Sequence, residues 1–326
     1  MFLRDVIDGL LELAVVPSFT RAGIAVRRRL FAWNEAAPQA LAGRTVLVTG
    51  ATGGLGAAMV RAFAALGAGV VLLGRDEAKL ARFRSELERE FAEGRFSTLV
   101  ADLSDRGSIA EAAAKIAATE PALDIVVDNA GAIRPERSRS ADGTESSMAL
   151  MAVGPFALVT HLLPLLARSE DPRIIAVTSG GQYTQPLDVD DLDGERVAYN
   201  GARFYARAKR AQVGLMREWA RRFGPDGPVV NAMHPGWAAT PGLAESLPTF
   251  SRVLGPLLRT PEEGIDTIVW LATAPRSEIG SGWLYLDRRR RPFDRVAWTR
   301  LSAAERRRLW ATVVARAGVE DPLPQP

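Results

Sequence analysis

The segment "FYARAK" (204–209) sets a phenol and an ammonium, Tyr205 and Lys209, four residues apart. On a helix such residues share one face, so both side chains can enter a single pocket. A free tyrosine titrates at about 10, too high for a base at neutral pH. An ammonium at ~4 Å and an effective dielectric of ~20 favours the phenolate by roughly 4 kcal/mol, nominally about three pH units before screening. A tyrosine tuned in this way can give a proton to a developing alkoxide or take one from an alcohol. The spacing alone is common among helices, so its meaning depends on the rest of the chain.

A second stretch with chemical content is "TGATGGLG" (49–56), placed where an apolar run ends and a helical pattern begins. Glycines there permit a tight turn and close approach of the backbone to a pyrophosphate, which meets the free N–H groups and positive dipole end of the helix. Gly50, Gly54 and Gly56 fit TGxxxGxG, whereas Gly50, Gly53 and Gly56 fit TGxxGxxG. Strand, turn and helix stand in the order that makes such a glycine set specific for a dinucleotide. At "GRDEAKL" (74–80) the second apolar run ends, where an adenosine ribose would lie. An acidic side chain there accepts from a free 2′-hydroxyl, and an arginine receives a 2′-phosphate. Arg75 comes first, which favours NADP, and Asp76 beside it keeps NAD open.

The elements that must hold these groups repeat along the chain. "TVLVTG" (45–50), "GVVLLG" (69–74), "STLVAD" (97–102), "LDIVVD" (123–128), "RIIAVTS" (173–179) and "PVVNAMH" (228–234) read as buried strands. Segments of helical period, such as 56–66 and 78–92, lie between them. The alternation predicts an α/β domain over 44–284, a Rossmann-type doubly wound parallel sheet with helices on both faces. Residues 1–43 predict an N-terminal extension of two helices. Leu3, Ile7, Leu10 and Ala14 form one stripe that stops at Pro17; Ser18 caps a second helix with Phe19, Ala22, Val26, Leu30 and Trp33 on its stripe. This extension is expected to pack on the domain; the alternative is a peripheral membrane helix flanked by Arg21 and Arg27–Arg29. A C-terminal tail over 285–326 opens with the charged run "YLDRRRRPFDR". A capping box in "SAAE" (302–305) then starts a helix through Leu309, Trp310 and Val313 to Gly318. The end, "DPLPQP" (321–326), is expected to fray.

With 326 residues, 47% hydrophobic, 24% charged and a net charge of +3, the composition is that of a globular chain with ample core. The runs "RRR" (27–29), "RRRR" (288–291) and "RRR" (306–308) read as solvated charge, with anionic lipid or a partner as the sharper alternative. No basic stripe interleaved with aromatics points to nucleic acid. The absence of cysteine excludes disulfides, thiolate nucleophiles and thiolate metal sites. His161 and His234 are the two histidines, which argues against a histidine metal site or triad. Arg4, Asp5, Asp8 and Glu12 interrupt the first apolar run too often for a membrane span or signal peptide, so a cytoplasmic protein is expected.

"TGATGGLG", "DNAG" (128–131), "TSGG" (178–181), "YARAK" (205–209) and "HPGW" (234–237) follow in an order that resembles the short-chain dehydrogenase/reductase family, over residues 44–275. The Asn-Ala-Gly stretch is a mark of that family. It speaks against its longer nucleotide-sugar-modifying relatives, the epimerases, and selects the Gly50, Gly54, Gly56 spacing. "TSGGQYTQPLDVDDLDGER", "YARAKRAQVGL" and "MHPGWAATPG" resemble the retinol-dehydrogenase-like branch more closely, and within it the group called dehydrogenase/reductase member twelve.

The resemblance implies NAD(P)-dependent interconversion of a carbonyl and an alcohol. Thr49, Thr52, Gly53 and Leu55 would join the three glycines of the turn. Asp102 and Leu103 would bracket the adenine, and Asn129, Ala130 and Gly131 would line the cofactor cleft. Ser179 would hydrogen-bond the substrate oxygen. Tyr205 would be general acid or base, with Lys209 tuning it and holding the nicotinamide ribose. Pro235 and Gly236 would form the wall beside the nicotinamide, with Thr240 on its carboxamide or on a phosphate; His234 would be structural. The stripe Phe250, Val253, Leu254, Leu257 and Leu258 would lid a lipophilic substrate. The chain departs from the family at Met151, where an asparagine normally holds a water that relays protons to the lysine. That departure motivates a rival reading, a dinucleotide-binding protein of low turnover that acts as sensor or interaction module. A homo-oligomer is compatible with the chain.

Overall fold

The six apolar runs become strands because Val, Ile and Leu suit a pleat buried on both faces. They are β1 (Thr45–Thr49), β2 (Gly69–Gly74), β3 (Phe96–Val100), β4 (Ile125–Asp128), β5 (Arg173–Val177) and β6 (Val229–Met233). The computed structural model, which describes residues 2–323, adds β7 (Leu284–Leu286) and β8 (Arg289–Arg291). The order across the sheet is β3-β2-β1-β4-β5-β6-β7-β8. Neighbours are parallel except β7 and β8, which form an antiparallel hairpin. Successive strands run outward from β1 to β3, and the chain then returns to lay β4 on the other side of β1. The carboxyl ends of β1 and β4 therefore flank a crevice, the switch point where such sheets bind ligands.

Alternate residues of each strand feed opposite cores. Val46, Val48, Val70, Leu72, Ile125 and Val127 pack with the helices Gly54–Ala65, Glu77–Glu90 and Pro261–Thr273. Leu47, Val71, Leu73, Val126 and Ile174 pack with Arg106–Thr119, Gly154–Leu166 and Gly201–Phe223. Ser146–Leu166 is long and apolar enough to cross a membrane, yet its apolar window is 72% buried inside the protein, as befits a core helix. Side-chain caps set the helix starts: Asp76 accepts from Lys79 N at 3.0 Å, Asp105 from Ser108 N at 2.7 Å and Asn200 from Arg203 N at 3.0 Å.

The expected boundary at 284/285 cuts through β7, so the charged run after it belongs to the sheet. The hairpin turn is Asp287–Arg288, both with positive φ (54° and 55°), the conformation of a two-residue type I′ turn. Lacking the usual Asn-Gly or Asp-Gly signal, it was not legible as a hairpin. Arg288 is fixed there by Asp266, with nitrogen–oxygen distances of 2.7 and 2.8 Å. The capping box of Ser302 and Glu305 forms as expected, and Leu309, Trp310 and Val313 are buried. Part of the expected fraying tail is pinned, since Asp321 accepts from Trp310 Nε1 at 3.0 Å and Leu323 O from Arg222 at 2.6 Å. Residues 324–326 of that segment lie outside the described residues.

The N-terminal extension departs most from expectation. It comprises three helices, Phe2–Leu13, Val15–Phe19 and Arg21–Leu30, and Pro17 lies inside the middle one. Ser18 caps nothing; its hydroxyl donates to Glu12 at 2.9 Å. The helices pack on the domain through polar side chains rather than the apolar stripes. Arg27, fully buried, reaches Asp8 at 2.6 Å, Asp287 at 2.6 Å and Glu12 at 2.8 Å. Arg291 holds Asp8 with both terminal nitrogens at 2.8 and 2.9 Å, and Arg259 holds Asp287 at 2.6 and 2.9 Å. Thus the runs expected to be solvated are largely paired, with Arg27 and Arg291 buried. Of the second stripe Phe19 is buried, whereas Ala22 and Val26 are exposed.

Removing Arg27 would take the shared cation out of a buried cluster, leaving Asp8 to Arg291 and Asp287 to Arg259; breaking such a buried pairing typically costs about 3–5 kcal/mol. Arg27→Ala should therefore lower the denaturant midpoint strongly. Arg29→Ala, on the exposed side of the same helix, should change stability by no more than about 0.5 kcal/mol. Equal effects of the two substitutions would contradict this account of the extension.

Candidate active site

The crevice between β1 and β4 is built by residues that lock the glycine turn. Thr49, buried at the end of β1, accepts from the backbone N–H groups of Asn129 and Ala130, both at 2.9 Å. Asn129 returns its amide to Thr49 O at 2.8 Å. Gly50 and Gly54 have φ of 65° and 52°, which disfavours a side chain. A Cβ on Gly56 would lie 2.1 Å from Gly50 O, so the helix Gly54–Ala65 can seat against the turn only with glycine there. Gly53, by contrast, has an extended φ of −157° and open space where a Cβ would be. Sterics thus require glycine at 50, 54 and 56. The cradle left open by these absent side chains faces a helix N-terminus, which fits a dinucleotide pyrophosphate.

Other expected residues surround this turn. Thr52 and Leu55 are half-buried on it, and Leu55 packs where Gly264 lacks a side chain. Thr240 stands opposite, its Cβ 3.2 Å from where a Gly54 Cβ would lie; its hydroxyl caps the next short helix through Leu243 N at 3.2 Å. At the end of β2, Arg75 is exposed and Asp76 is committed to its helix, capping it and pairing with Lys79 at 3.6 Å. Asp102 follows β3, accepts from Ser104 N at 2.8 Å and lies within electrostatic reach of Arg75. Leu103 is buried, and its carbonyl lies 1.8 Å from where a Cβ on Gly154 would be. Gly154 is thus required by close approach, which its place inside a helical pattern did not reveal.

The chemistry-bearing side chains converge beside the crevice. Ser179 follows β5, and Tyr205 and Lys209 lie one turn apart on Gly201–Phe223. Burial holds the Tyr205 hydroxyl above its ordinary range, while a hydrogen bond with Ser179 pulls it down. No hydrogen bond joins the ammonium to the phenol. Lys209 Nζ stands 5.9 Å from the Tyr205 ring centroid and donates to Val177 O at 2.8 Å. Lys209 is itself 2% exposed, and burial lowers it to about 8 against the opposing pull of Asp128. Gly131 makes room for this arrangement, because a Cβ there would lie 3.0 Å from Met151 Sδ and 3.5 Å from Lys209 Nζ. Met151 is fully buried in a π-helical turn, Ala149–Val153, an irregularity that often marks functional sites.

Pro235 and Gly236 follow β6. Gly236 has φ 70° and sits against Arg259 and the carbonyl of Phe19, so the N-terminal helices brace this wall. His234 is buried between Phe19 and Tyr183, its ring centroids 4.7 and 6.0 Å from theirs. Burial and the surrounding arginines push it well below its usual range, so it stays neutral and structural. Phe19 also contacts Trp237, and Trp237 contacts Phe250 of the short helix Pro248–Leu254, at centroid distances of 5.6 and 5.0 Å. A separate groove of about 1070 Å³ lies between residues 31–40 and the helices Gly54–Ala65 and Pro261–Thr273; none of the convergent residues lines it.

Asp128 is the residue of this centre that sequence reasoning passed over. A carboxylate that ends an otherwise apolar strand, "LDIVVD", was the available signal.

Residues 44–249 match the model of the short chain dehydrogenase family. Dehydrogenase/reductase SDR family member 12 from Bos taurus is 35% identical over 295 residues, 89% of this chain and 91% of that one. Human retinol dehydrogenase 13 is 32% identical over 317 residues, 93% of this chain and 94% of its own. A solved structure assigned as a short chain dehydrogenase from Escherichia coli CFT073, complexed with NADPH, is similar at a TM-score of 0.62 and 27% identity. That likeness covers 76% of this chain and 98% of the other. With the fold and the cradle already described, these likenesses show that the chain belongs to the short chain dehydrogenase family, in its retinol-dehydrogenase-like branch, and is an NAD(P)-dependent oxidoreductase.

Proposed function

We propose that the protein reduces a lipophilic carbonyl with NADPH, using Ser179, Tyr205 and Lys209. The observation that carries this reading is the convergence of those three side chains beside the glycine cradle. The bound nicotinamide supplies hydride chemistry. Ser179 orients the substrate oxygen and stabilises charge developing on it. Burial keeps the Tyr205 phenol protonated at neutral pH, so it serves as the acid that delivers a proton to that oxygen. The ammonium of Lys209 supplies positive charge to the same pocket and a donor toward the nicotinamide ribose. Family membership favours turnover over the binding-only alternative. Loss of reduced-nicotinamide absorbance on addition of lipophilic ketones or aldehydes tests the activity, and its absence across such a panel would contradict it.

The preference for NADPH rests on Arg75. It is exposed at the end of β2, whereas the Asp76 carboxylate is engaged by its own helix. One charge-assisted contact to a 2′-phosphate contributes about 1.5–3 kcal/mol, roughly ten- to a hundredfold in affinity. NADPH should bind more tightly than NADH by that factor, and Arg75→Ala should erase most of the difference. Equal affinities in the unaltered protein would exclude this role.

The lipophilic assignment is supported by the face beside the site. Because the N-terminal helices dock through Asp8, Glu12 and Arg27, they turn Leu3, Leu10 and Leu13 outward, at 69, 63 and 81% exposure. Val253 and Leu257 of the lid segment are exposed as well, and Phe19, Trp237 and Phe250 link the two regions. Arg4 and Arg29 make no ion pair among the described residues. An apolar face edged by free arginines suits an anionic bilayer surface, from which a lipophilic substrate can enter. The protein should sediment with phosphatidylserine-containing vesicles and less with neutral ones. Leu10→Asp with Leu13→Asp should abolish that binding and leave the melting temperature nearly unchanged. Failure of the unaltered protein to bind would overturn the membrane reading and leave the chemistry untouched.

A further inference from the structure

Asp128, the last residue of β4, is buried between the sheet and the helix Gly201–Phe223. One carboxylate oxygen accepts from Gln212 Nε2 at 2.6 Å, while Asp128 Oδ1 and Gln212 Oε1 make no hydrogen bond within the protein. Both residues border a cavity of about 30 Å³ that Met151, Ala152, Pro155 and Ala176 also line. Gln212 lies one turn after Lys209, so the two side chains leave the same helix face.

Lys209 stands in an unusual position for a cation. It is 2% exposed, and its bond to Val177 O is its one side-chain hydrogen bond among the described residues. The neighbouring elements offer it little else. Its own helix presents Tyr205, β5 a carbonyl, and the π-helical turn the thioether of Met151. Asp128 is the charged group acting on Lys209, and Lys209 the charged group acting on Asp128. An ammonium so desolvated, with a single carbonyl for support, readily loses its proton.

We infer that Asp128 is a positioning residue for the reaction, its carboxylate the counter-charge that keeps Lys209 protonated, with Gln212 fixing the orientation of that carboxylate. The inference rests on the reading of Lys209 as the lysine of the active centre. Burial drives Asp128 up to about 6 and Lys209 down to about 8, each opposed by the other. Both groups are therefore charged between those limits. Below the lower one Asp128 is neutral, but the acid medium itself keeps Lys209 protonated; above the upper one Lys209 loses its own proton. The counter-charge therefore sets the alkaline limit of activity.

The chain contains only three lysines, Lys79, Lys115 and Lys209, so each can be followed by itself in protein labelled with ¹³Cε-lysine. Titration by NMR gives the pKa of Lys209 without cofactor or substrate. Asp128→Asn keeps the side-chain volume and removes the charge; the titration of Lys209 should then fall by roughly one to three pH units. The resonances of Lys79 and Lys115, both exposed, should not move, and an unchanged circular dichroism spectrum reports an intact fold. Asp128→Glu keeps the charge, and the adjoining cavity of about 30 Å³ can take its extra methylene, so Lys209 should titrate near its original pH. An unchanged Lys209 titration in Asp128→Asn would overturn the inference. The alkaline limb of the rate profile should follow Lys209 downward in Asp128→Asn. If the titration moves and the limb does not, the counter-charge stands and the catalytic role of Lys209 fails.

Discussion

Lys209 carries an ammonium into an apolar interior, and the geometry around it answers to that charge. Val177 O accepts a hydrogen bond from the ammonium at 2.8 Å, and the hydroxyl of Thr178 ties the backbone carbonyl of Lys209 to the end of β5 at 3.2 Å. Gly131 lacks the side chain that would crowd the Met151 thioether packed next to the amine. The carboxylate of Asp128 closes the electrostatics from the neighbouring strand. A buried charge costs several kcal/mol unless such partners surround it, which is why four separate elements meet at this point. The same meeting sets Tyr205 and Ser179 side by side at the edge of the glycine cradle.

The N-terminal helices show a related constraint in reverse. Amphipathic helices usually bury their apolar stripe. Here the inward face carries Asp8, Glu12 and Arg27, because the β7–β8 hairpin and the wall after β6 present Asp287, Arg291 and Arg259. This polar latch braces Gly236 and His234 through Phe19, so an extension remote in sequence reaches the active centre. It also leaves Leu3, Leu10 and Leu13 facing outward. One interaction thus connects the stability of the extension to the apolar surface proposed above as a membrane-facing one.

Much of this was legible in the chain. The six strands over 45–233 announced themselves through Val- and Ile-rich runs, and the glycine turn through its place between strand and helix. The two spacings of that turn were separated in the sequence by resemblance alone; the physical reason is steric, since positive φ at Gly50 and Gly54 and contact at Gly56 are tertiary facts. The β7–β8 hairpin escaped notice because "LYLDRRRR" is short, carries four arginines and turns through Asp287 and Arg288 rather than a glycine. The orientation of the N-terminal helices could not be read from periodicity, which gives a stripe but not the charge of the surface it meets. The spacing of Tyr205 and Lys209 was read correctly as a shared face, but the ammonium prefers a strand carbonyl to the phenol.

In the proposed reaction Tyr205 acts as an acid within a site that binds dinucleotide independently of it. The most direct measurement compares Tyr205→Phe with the unaltered protein, in turnover of a reduced carbonyl and in NADPH affinity by fluorescence. Loss of a positioned general acid lowers turnover by about 10²–10⁴-fold. The account predicts that loss, with NADPH affinity held within about threefold, or ~0.7 kcal/mol. Turnover that survives the substitution, or that disappears only because NADPH no longer binds, would contradict it.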